Sequence, residues 1–157
     1  MINFKKLLFS ILICEAAGVV GSIFTFPSIN SWYTYLNKPF FNPPNWIFGP
    51  VWTTLYILMG ISLYLVWQTK TKVKEKKYGL IYFFLQLIFN SFWSIVFFGM
   101  HSIKFSYVVI VVLWILIAIT MMNFEKVRKE AMYLLLPYIL WVSFASILNL
   151  FLIILNP

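Results

Sequence analysis

Long apolar stretches separated by short polar ones run along the whole chain. Each stretch reaches the roughly 20 residues that an α-helix needs to cross a hydrocarbon core of about 30 Å. None shows the strict two-residue alternation of a membrane β-barrel, and a helix satisfies its own backbone hydrogen bonds in lipid. The pattern therefore predicts an all-α membrane protein, a five-transmembrane-helix bundle that occupies residues 1–157 as a single domain. The predicted spans are about residues 7–26, 46–67, 79–100, 105–124 and 131–155.

The composition also favours lipid as the solvent. Hydrophobic residues make up 62% of the chain and charged residues only 10%, against about 25% charged residues in an average soluble domain. So few charges cannot solvate a globular surface, because a chain of this length leaves much of its surface exposed. We therefore predict an integral membrane protein that has the lipid bilayer as its surroundings.

The net charge of +8 is unevenly distributed between the two ends of the predicted bundle. On one side the connections carry only Lys38 and Lys104. Under the positive-inside rule this distribution predicts a cytoplasmic N-terminus and a C-terminus outside. Because the basic residues are concentrated in the predicted connections on one side of the membrane, the positive net charge does not indicate a nucleic-acid partner. The ten basic residues of the other side are Lys5, Lys6, Lys70, Lys72, Lys74, Lys76, Lys77, Lys126, Arg128 and Lys129.

The first span begins like a signal peptide, with two lysines before an apolar stretch. A retained helix is favoured, because bulky residues precede Cys14 and the apolar run continues past it. Glu15, the one acid inside a span, is interpreted as structural, with Lys5 and Lys6 as candidate partners. Small residues at four-residue spacing permit close helix approach within the bundle or between two copies, and a homodimer face is favoured. They are Ala17 with Gly21 and Gly18 with Ser22.

The connection between the first two spans reads SINSWYTYLNKPFFNPPN, from Ser28 to Asn45. Helix connections usually have about 2 to 8 residues, and this longer one contains aromatic residues that need something to cover. Its prolines exclude a long helix, and Asn45 is predicted to cap the second span. A long ordered loop that forms a lid over one end of the bundle is favoured over an interfacial aromatic belt.

Three predicted spans each carry aromatic and polar side chains at about four-residue spacing, which places them on one helical face. If the faces converge, they line a cavity with flat apolar walls and a few polar anchors, suited to a flat ligand. The amides could equally hydrogen-bond one helix to another, and the spacing leaves both interpretations open. The faces comprise Trp52 and Tyr56; Gln86, Asn90, Trp93 and Ser94; and Trp141, Ala145 and Asn149.

Three separated motifs resemble the signature of the translocator protein family, also called the tryptophan-rich sensory protein or peripheral-type benzodiazepine receptor family. They are WYTYLNKPFFNPPNWIFGPVWTTLY from Trp32, QLIFNSFWSIVFFG from Gln86 and PYILWVSFASILN from Pro137. The resemblance covers essentially the whole chain and implies a five-helix bundle. It also implies a membrane receptor that binds porphyrins, including protoporphyrin IX and haem, and isoquinoline or benzodiazepine ligands.

The same resemblance implies a pocket between the spans that is closed by Trp46 and the lid. Bacterial members are linked to porphyrin breakdown, which implies Trp52 and Trp141 as catalytic residues if protoporphyrin is degraded with light and oxygen. The sequence offers no convergent His, Asp or Cys set for ordinary acid–base or nucleophilic catalysis. The only histidine, His101, is predicted to lie in a short loop, so we predict no metal site and no required cofactor, with porphyrin as ligand or substrate. The ligand-binding residues are predicted to be Trp46, Trp52, Tyr56, Asn90, Trp93, Trp141, Ala145, Leu148 and Asn149.

Animal members of the family carry a cholesterol motif at the end of the fifth span, in which a Leu or Val is followed by a Tyr and then by a Lys or Arg. The chain departs from this pattern. No Tyr follows Leu148 and no Lys or Arg follows Glu130, so sterol transport is not expected. Asn42 and Asn45 stand where many relatives have histidine, which weakens an iron or acid–base role for the lid. A porphyrin receptor or sensor is the first hypothesis, porphyrin breakdown the second, and transport of tetrapyrroles or lipids the third, since no inverted repeat is visible. The residue bias looks bacterial and predicts a bacterial plasma membrane.

Overall fold

The computed structural model describes residues 3–157, which form an all-α bundle with five helical segments long and apolar enough to span a membrane. This confirms the predicted architecture. The fifth segment consists of two helices, α5 and α6, separated by a short turn. The elements are α1 (Phe4–Ile29), a 3₁₀ turn (Trp32–Tyr35), α2 (Asn45–Gln68), α3 (Lys74–Ser94) with a π-helical turn (Ile95–Gly99), α4 (Ile103–Val127), α5 (Lys129–Tyr133) and α6 (Leu136–Leu155).

The break in the fifth segment was not predicted from the apolar run at residues 131–155. Pro137 lies in the first turn of α6, where its missing N–H is tolerated because no helical partner is needed there. The preceding residues, Leu134 and Leu135, form a turn. The apolar run conceals this turn because both of its residues are leucine.

The helices pack around the bundle in the order α2, α1, α3, α4 and α6, and α5 closes the ring against α2. The closure lies at the end that carries most of the lysines, where the Ser62 hydroxyl donates to the backbone oxygen of Ala131 at 2.7 Å. Along the other half of the bundle α2 and α6 make few contacts. The bundle is therefore tight at this lysine-rich end and more open toward the lid.

The lid comprises residues 30–44, and its aromatic side chains point in two directions. Tyr33 is only 2% exposed and packs beside Phe97 and Phe98, whereas Tyr35 and Phe40 are 87% and 100% exposed. The ordered lid is thus confirmed, while its outward-facing rings correspond to the aromatic-belt alternative.

The hydroxyl group of Tyr33 ties the lid to itself by donating to Asn42 Oδ1 at 2.6 Å. Burial raises the pKa of Tyr33 to about 12, although the hydrogen bond with Asn42 opposes the shift. The hydroxyl therefore keeps its proton at neutral pH and remains a hydrogen-bond donor. The predicted capping role of Asn45 is wrong: Asn45 is the first residue of α2, Pro44 precedes it at the cap, and its side-chain amide donates to the Ile29 backbone oxygen.

The crossing of α1 and α2 depends on Gly60. A Cβ atom at this position would lie 2.5 Å from the Ile11 Cα atom and 2.9 Å from its backbone nitrogen. Backbone atoms cannot move aside as the end of a flexible side chain can, so Gly60→Ala is expected to separate the two helices. Overpacking of this kind costs about 1–3 kcal/mol, which predicts a lower melting temperature for the detergent-solubilised protein, measured by circular dichroism.

Gly49→Ala is the matched control, because Gly49 is also in α2 and its added Cβ would meet nothing within 4 Å. Both substitutions bring the same gain in helix propensity, about 1 kcal/mol, so their difference isolates the contact with Ile11. A Gly60→Ala protein that melts at or above the temperature of Gly49→Ala would contradict this packing.

Candidate functional site

A cavity of about 790 Å³ lies between the helices in the lid half of the bundle. Its walls come from α1, α2, the end of α3 with its π-helical turn, and α6, and residues of the lid contribute at the top. Ligand cavities in proteins typically measure about 300–1,000 Å³. The cavity is therefore large enough for a small organic ligand.

Most of the predicted ligand-binding residues meet at this cavity. Asn90 is the exception: it lies on the predicted face of α3 but does not line the cavity. The helical faces predicted from four-residue spacing therefore do converge in space. The predicted residues that line the cavity are Trp46, Trp52, Tyr56, Trp93, Trp141, Ala145, Leu148 and Asn149.

Flat aromatic surfaces form much of the wall. The rings of Trp52 and Tyr56 are stacked with centroids 5.6 Å apart, and those of Trp93 and Phe97 are stacked at 5.1 Å. A third indole, that of Trp141, packs edge-on against Phe48. Such walls favour a flat aromatic ligand, because aromatic pairs gain about 0.5–1.5 kcal/mol beyond the area they bury.

Asn90 belongs to a buried hydrogen-bond network below the cavity. Its Oδ1 accepts from the Tyr56 hydroxyl, and its Nδ2 donates to the Tyr138 hydroxyl at 2.9 Å. Tyr138 in turn donates to Gln86 Oε1 at 2.7 Å. The amides of α3 thus hydrogen-bond helix to helix, and Asn90 positions the wall residue Tyr56 instead of facing the ligand space.

Asn149 lines the cavity, yet its amide is also used inside the bundle. Its Nδ2 donates to the Ile103 backbone oxygen at 3.1 Å, and its Oδ1 accepts from Ser106 at 3.2 Å and from the Trp93 indole at 3.5 Å. The residue therefore joins α3, α4 and α6 and holds the Trp93 ring at the wall.

The wall formed by α1 was not predicted. Gly18 faces the Tyr56 ring so closely that a Cβ atom would lie 2.4 Å from Tyr56 Cε2, and a Cβ on Gly21 would lie 3.0 Å from Ser94 Oγ. These two glycines allow close packing within one copy, so the face assigned to a homodimer faces the inside of the bundle. The four-residue spacing of small residues was the available signal, but it does not distinguish helix packing within one copy from packing between two copies.

The π-helical turn supplies two further wall residues that the sequence did not single out, Phe97 and Phe98. Its backbone bond joins Met100 N to Ile95 O, five residues earlier, at 2.9 Å. The wider turn changes the direction of the side chains that follow Ser94, and π-turns of this kind often occur at functional sites. If α3 continued as a regular α-helix, the side chains of Phe97 and Phe98 would point in a different direction.

The cavity reaches the bundle surface between the lid halves of α1 and α2. Among its lining residues, Phe26 of α1 and Trp46 of α2 are 72% and 73% exposed. The two helices are in close contact farther from the lid, at Ile11 and Gly60. The cavity therefore opens sideways, in the direction that lipid occupies in a membrane.

Two lining residues carry buried polar atoms that have no hydrogen-bond partner within residues 3–157, Glu15 Oε1 and Trp141 Nε1. The expected pairing of Glu15 with Lys5 or Lys6 is wrong for the described chain, because neither lysine forms an ion pair with it. Glu15 faces the cavity, nearly halfway along α1, instead of turning back toward the helix start. Each of these residues offers one polar atom for a ligand.

A five-span integral membrane protein with an aromatic cavity under a lid is the class that this fold and site define. The model of the TspO/MBR family matches residues 10–155. The chain therefore belongs to the TspO/MBR family, as the three motifs predicted.

Curated relatives from several kinds of organism agree with this assignment. The chain is 50% identical over 146 residues to the tryptophan-rich protein TspO of Chlorobaculum tepidum, covering 92% of each chain. It is 43% identical to the tryptophan-rich protein TspO of Archaeoglobus fulgidus, over 98% of this chain and 99% of the other. The translocator protein of Homo sapiens is 36% identical, over 83% of this chain and 78% of the other.

Proposed function

We propose that this protein is a membrane receptor or sensor that binds porphyrins, such as protoporphyrin IX and haem, in the cavity under the lid. Isoquinoline and benzodiazepine compounds are proposed to occupy the same space. Membership of a family whose relatives are named as sensory and translocator proteins supports the role of a sensor or receptor. The porphyrin itself is inferred from the family resemblance together with the shape of the cavity.

The observation that carries the proposal is the convergence of four indoles on one cavity of about 790 Å³, those of Trp46, Trp52, Trp93 and Trp141. A porphyrin is a flat, largely apolar macrocycle with polar edges, so indole faces can stack on it while polar groups meet its periphery. The sideways opening gives a hydrophobic ligand a route from the bilayer. The proposed orientation has the N-terminus in the cytoplasm of a bacterial cell, and a homodimer stays a prediction.

Replacement of two cavity tryptophans tests the proposal. The double variant Trp52→Phe, Trp141→Phe is expected to bind protoporphyrin IX about tenfold more weakly, since each indole is replaced by a smaller ring and the two losses of stacking area together correspond to about 1.4 kcal/mol. Binding is measured by the anisotropy of the porphyrin's own fluorescence, so that removing tryptophans does not remove the signal.

The matched control removes two tryptophans that do not line the cavity, in the double variant Trp67→Phe, Trp114→Phe. Both indoles are partly exposed on the bundle surface, and their replacement is expected to leave the porphyrin affinity unchanged. Equal affinities in the two double variants would refute binding in this cavity.

A further inference from the structure

Glu15 lies at the deep end of the cavity, on the same face of α1 as the lining residues Gly18 and Ser22. The α1 wall continues from there to Ile29 beneath the lid. At 1.5 Å per residue these fourteen steps cover about 21 Å, a large part of a hydrocarbon core of about 30 Å. The carboxyl group therefore lies well inside the apolar span, as far from the lid as the cavity extends.

No basic side chain balances this acid in the part of the chain that the structure describes. The two ion pairs found there join side chains at the lysine-rich end of the bundle. Lys6 instead places its ammonium group over the ring of Trp67, 5.4 Å from the ring centre. A carboxyl group without a partner is expensive at this depth, and an ionisable residue inside a membrane is a functional candidate for that reason.

Three hydroxyl groups that line the cavity are committed elsewhere. The Tyr56 hydroxyl donates a hydrogen bond to Asn90, while Ser22 and Thr25 donate to backbone oxygens of α1 at 2.7 and 3.1 Å. Oε1 of Glu15 is a buried acceptor without a donor among residues 3–157. A molecule inside the cavity is therefore in a position to supply the missing donor.

We infer that Glu15 forms a subsite for a positively charged, hydrogen-bond-donating group on a flat aromatic ligand. An ionised carboxyl group only accepts hydrogen bonds, and a cationic donor gives the stronger, charge-assisted kind. The stacked rings of Trp52 and Tyr56 would hold the aromatic body while its donor end meets Glu15. This inference rests on the proposed function only in treating the cavity as a ligand site.

The subsite also determines how a bound porphyrin is oriented in the cavity. Its carboxylate-bearing edge would meet a like charge at Glu15, so that edge points toward the lid. The pyrrole edge of the macrocycle is then the part that approaches the deep end.

Two fluorescent tricyclic probes of similar outline test the subsite, a protonated aminoacridine and the uncharged acridone. They are titrated against the full-length protein in nanodiscs of uncharged lipid, so that lipid charge does not attract the cation. The wild-type protein is expected to bind the cation about tenfold more tightly than acridone. Glu15→Gln is expected to abolish this preference while leaving the acridone affinity within about twofold, and Glu15→Asp, which keeps the charge, is expected to retain part of it.

Glu75→Gln is the matched control, because Glu75 lies at the lysine-rich end near Lys126 and does not line the cavity. It is expected to leave both affinities unchanged. Equal wild-type affinities for the two probes, or a cation preference that survives in folded Glu15→Gln protein, would overturn the inference. If Glu15→Gln fails to fold, a reduced cation preference in Glu15→Asp supports the subsite, and an undiminished preference there overturns it.

Porphyrin titrations of the same preparations separate this inference from the proposed function. A cation preference that depends on Glu15, without any porphyrin binding, would leave the subsite in place and reject the porphyrin as ligand. Porphyrin binding without a cation preference would support the porphyrin as ligand and reject the subsite at Glu15.

Discussion

Leucine in place of Gly18 is expected to weaken protoporphyrin binding by about 100-fold, equivalent to about 2.7 kcal/mol. Gly18 has no room for a side chain: its Cβ would already lie 2.4 Å from Tyr56 Cε2 and 2.7 Å from Cδ2. The Tyr56 ring cannot turn away freely, because its hydroxyl is bonded to Asn90 and the ring is stacked on Trp52. Leucine would therefore occupy ligand space and displace the aromatic wall.

The affinity is measured with the porphyrin fluorescence titration, and a melting curve establishes that the variant is folded. Val20→Leu is the control, because Val20 is on the same helix, is exposed, and does not line the cavity. Gly18→Ala adds only the Cβ atom and is expected to give a smaller loss in the same direction. A folded Gly18→Leu protein with wild-type porphyrin affinity would show that the ligand does not lie between α1 and α2.

The five spans could be predicted because lipid imposes the same requirement on every residue of a span. Each exposed position has to be apolar, so a simple run of hydrophobic residues marks each helix. The faces of α2 and α6 were also predictable, since the pairs Trp52 with Tyr56 and Trp141 with Ala145 repeat at the helical period. Regular helices preserve this spacing in three dimensions.

The remaining parts of the site depend on features that a helical projection does not contain. The π-helical turn redirects Phe97 and Phe98, and nothing in the apolar sequence around them marks the change in hydrogen bonding. Asn90 was assigned to the ligand through the family resemblance, and the spacing alone left open the helix-to-helix hydrogen bond that it makes with Tyr138, 48 residues away. The capping role predicted for Asn45 was wrong for a local reason: Pro44 ends the lid in an extended conformation, and α2 begins at Asn45, one residue earlier than a cap at Asn45 requires.

Release of the lid from the end of α6 is expected to accelerate porphyrin dissociation by about tenfold. Asn37 and Asn156 hold the two segments together through three hydrogen bonds: Asn37 N to Asn156 Oδ1 at 2.9 Å, Asn156 Nδ2 to Asn37 O at 3.0 Å, and Asn37 Nδ2 to Leu155 O at 3.3 Å. Each exposed bond contributes about 0.5 kcal/mol, at the low end of the usual range. The double variant Asn37→Ala, Asn156→Ala removes all three, which corresponds to about 1.5 kcal/mol.

The equilibrium affinity should change less than the rate of dissociation, because a loosened lid opens for entry as well as for release. Stopped-flow displacement of bound porphyrin measures the dissociation rate, and Asn123→Ala is the control, since Asn123 donates to its own helix in α4 and lies away from the lid. The lid keeps its aromatic anchors in the double variant, including Phe41 against Phe151 at 5.2 Å, so the lid loosens without detaching. An unchanged dissociation rate would contradict release through the lid and would make the opening between α1 and α2, beside Phe26 and Trp46, the exit that determines how long a ligand stays bound.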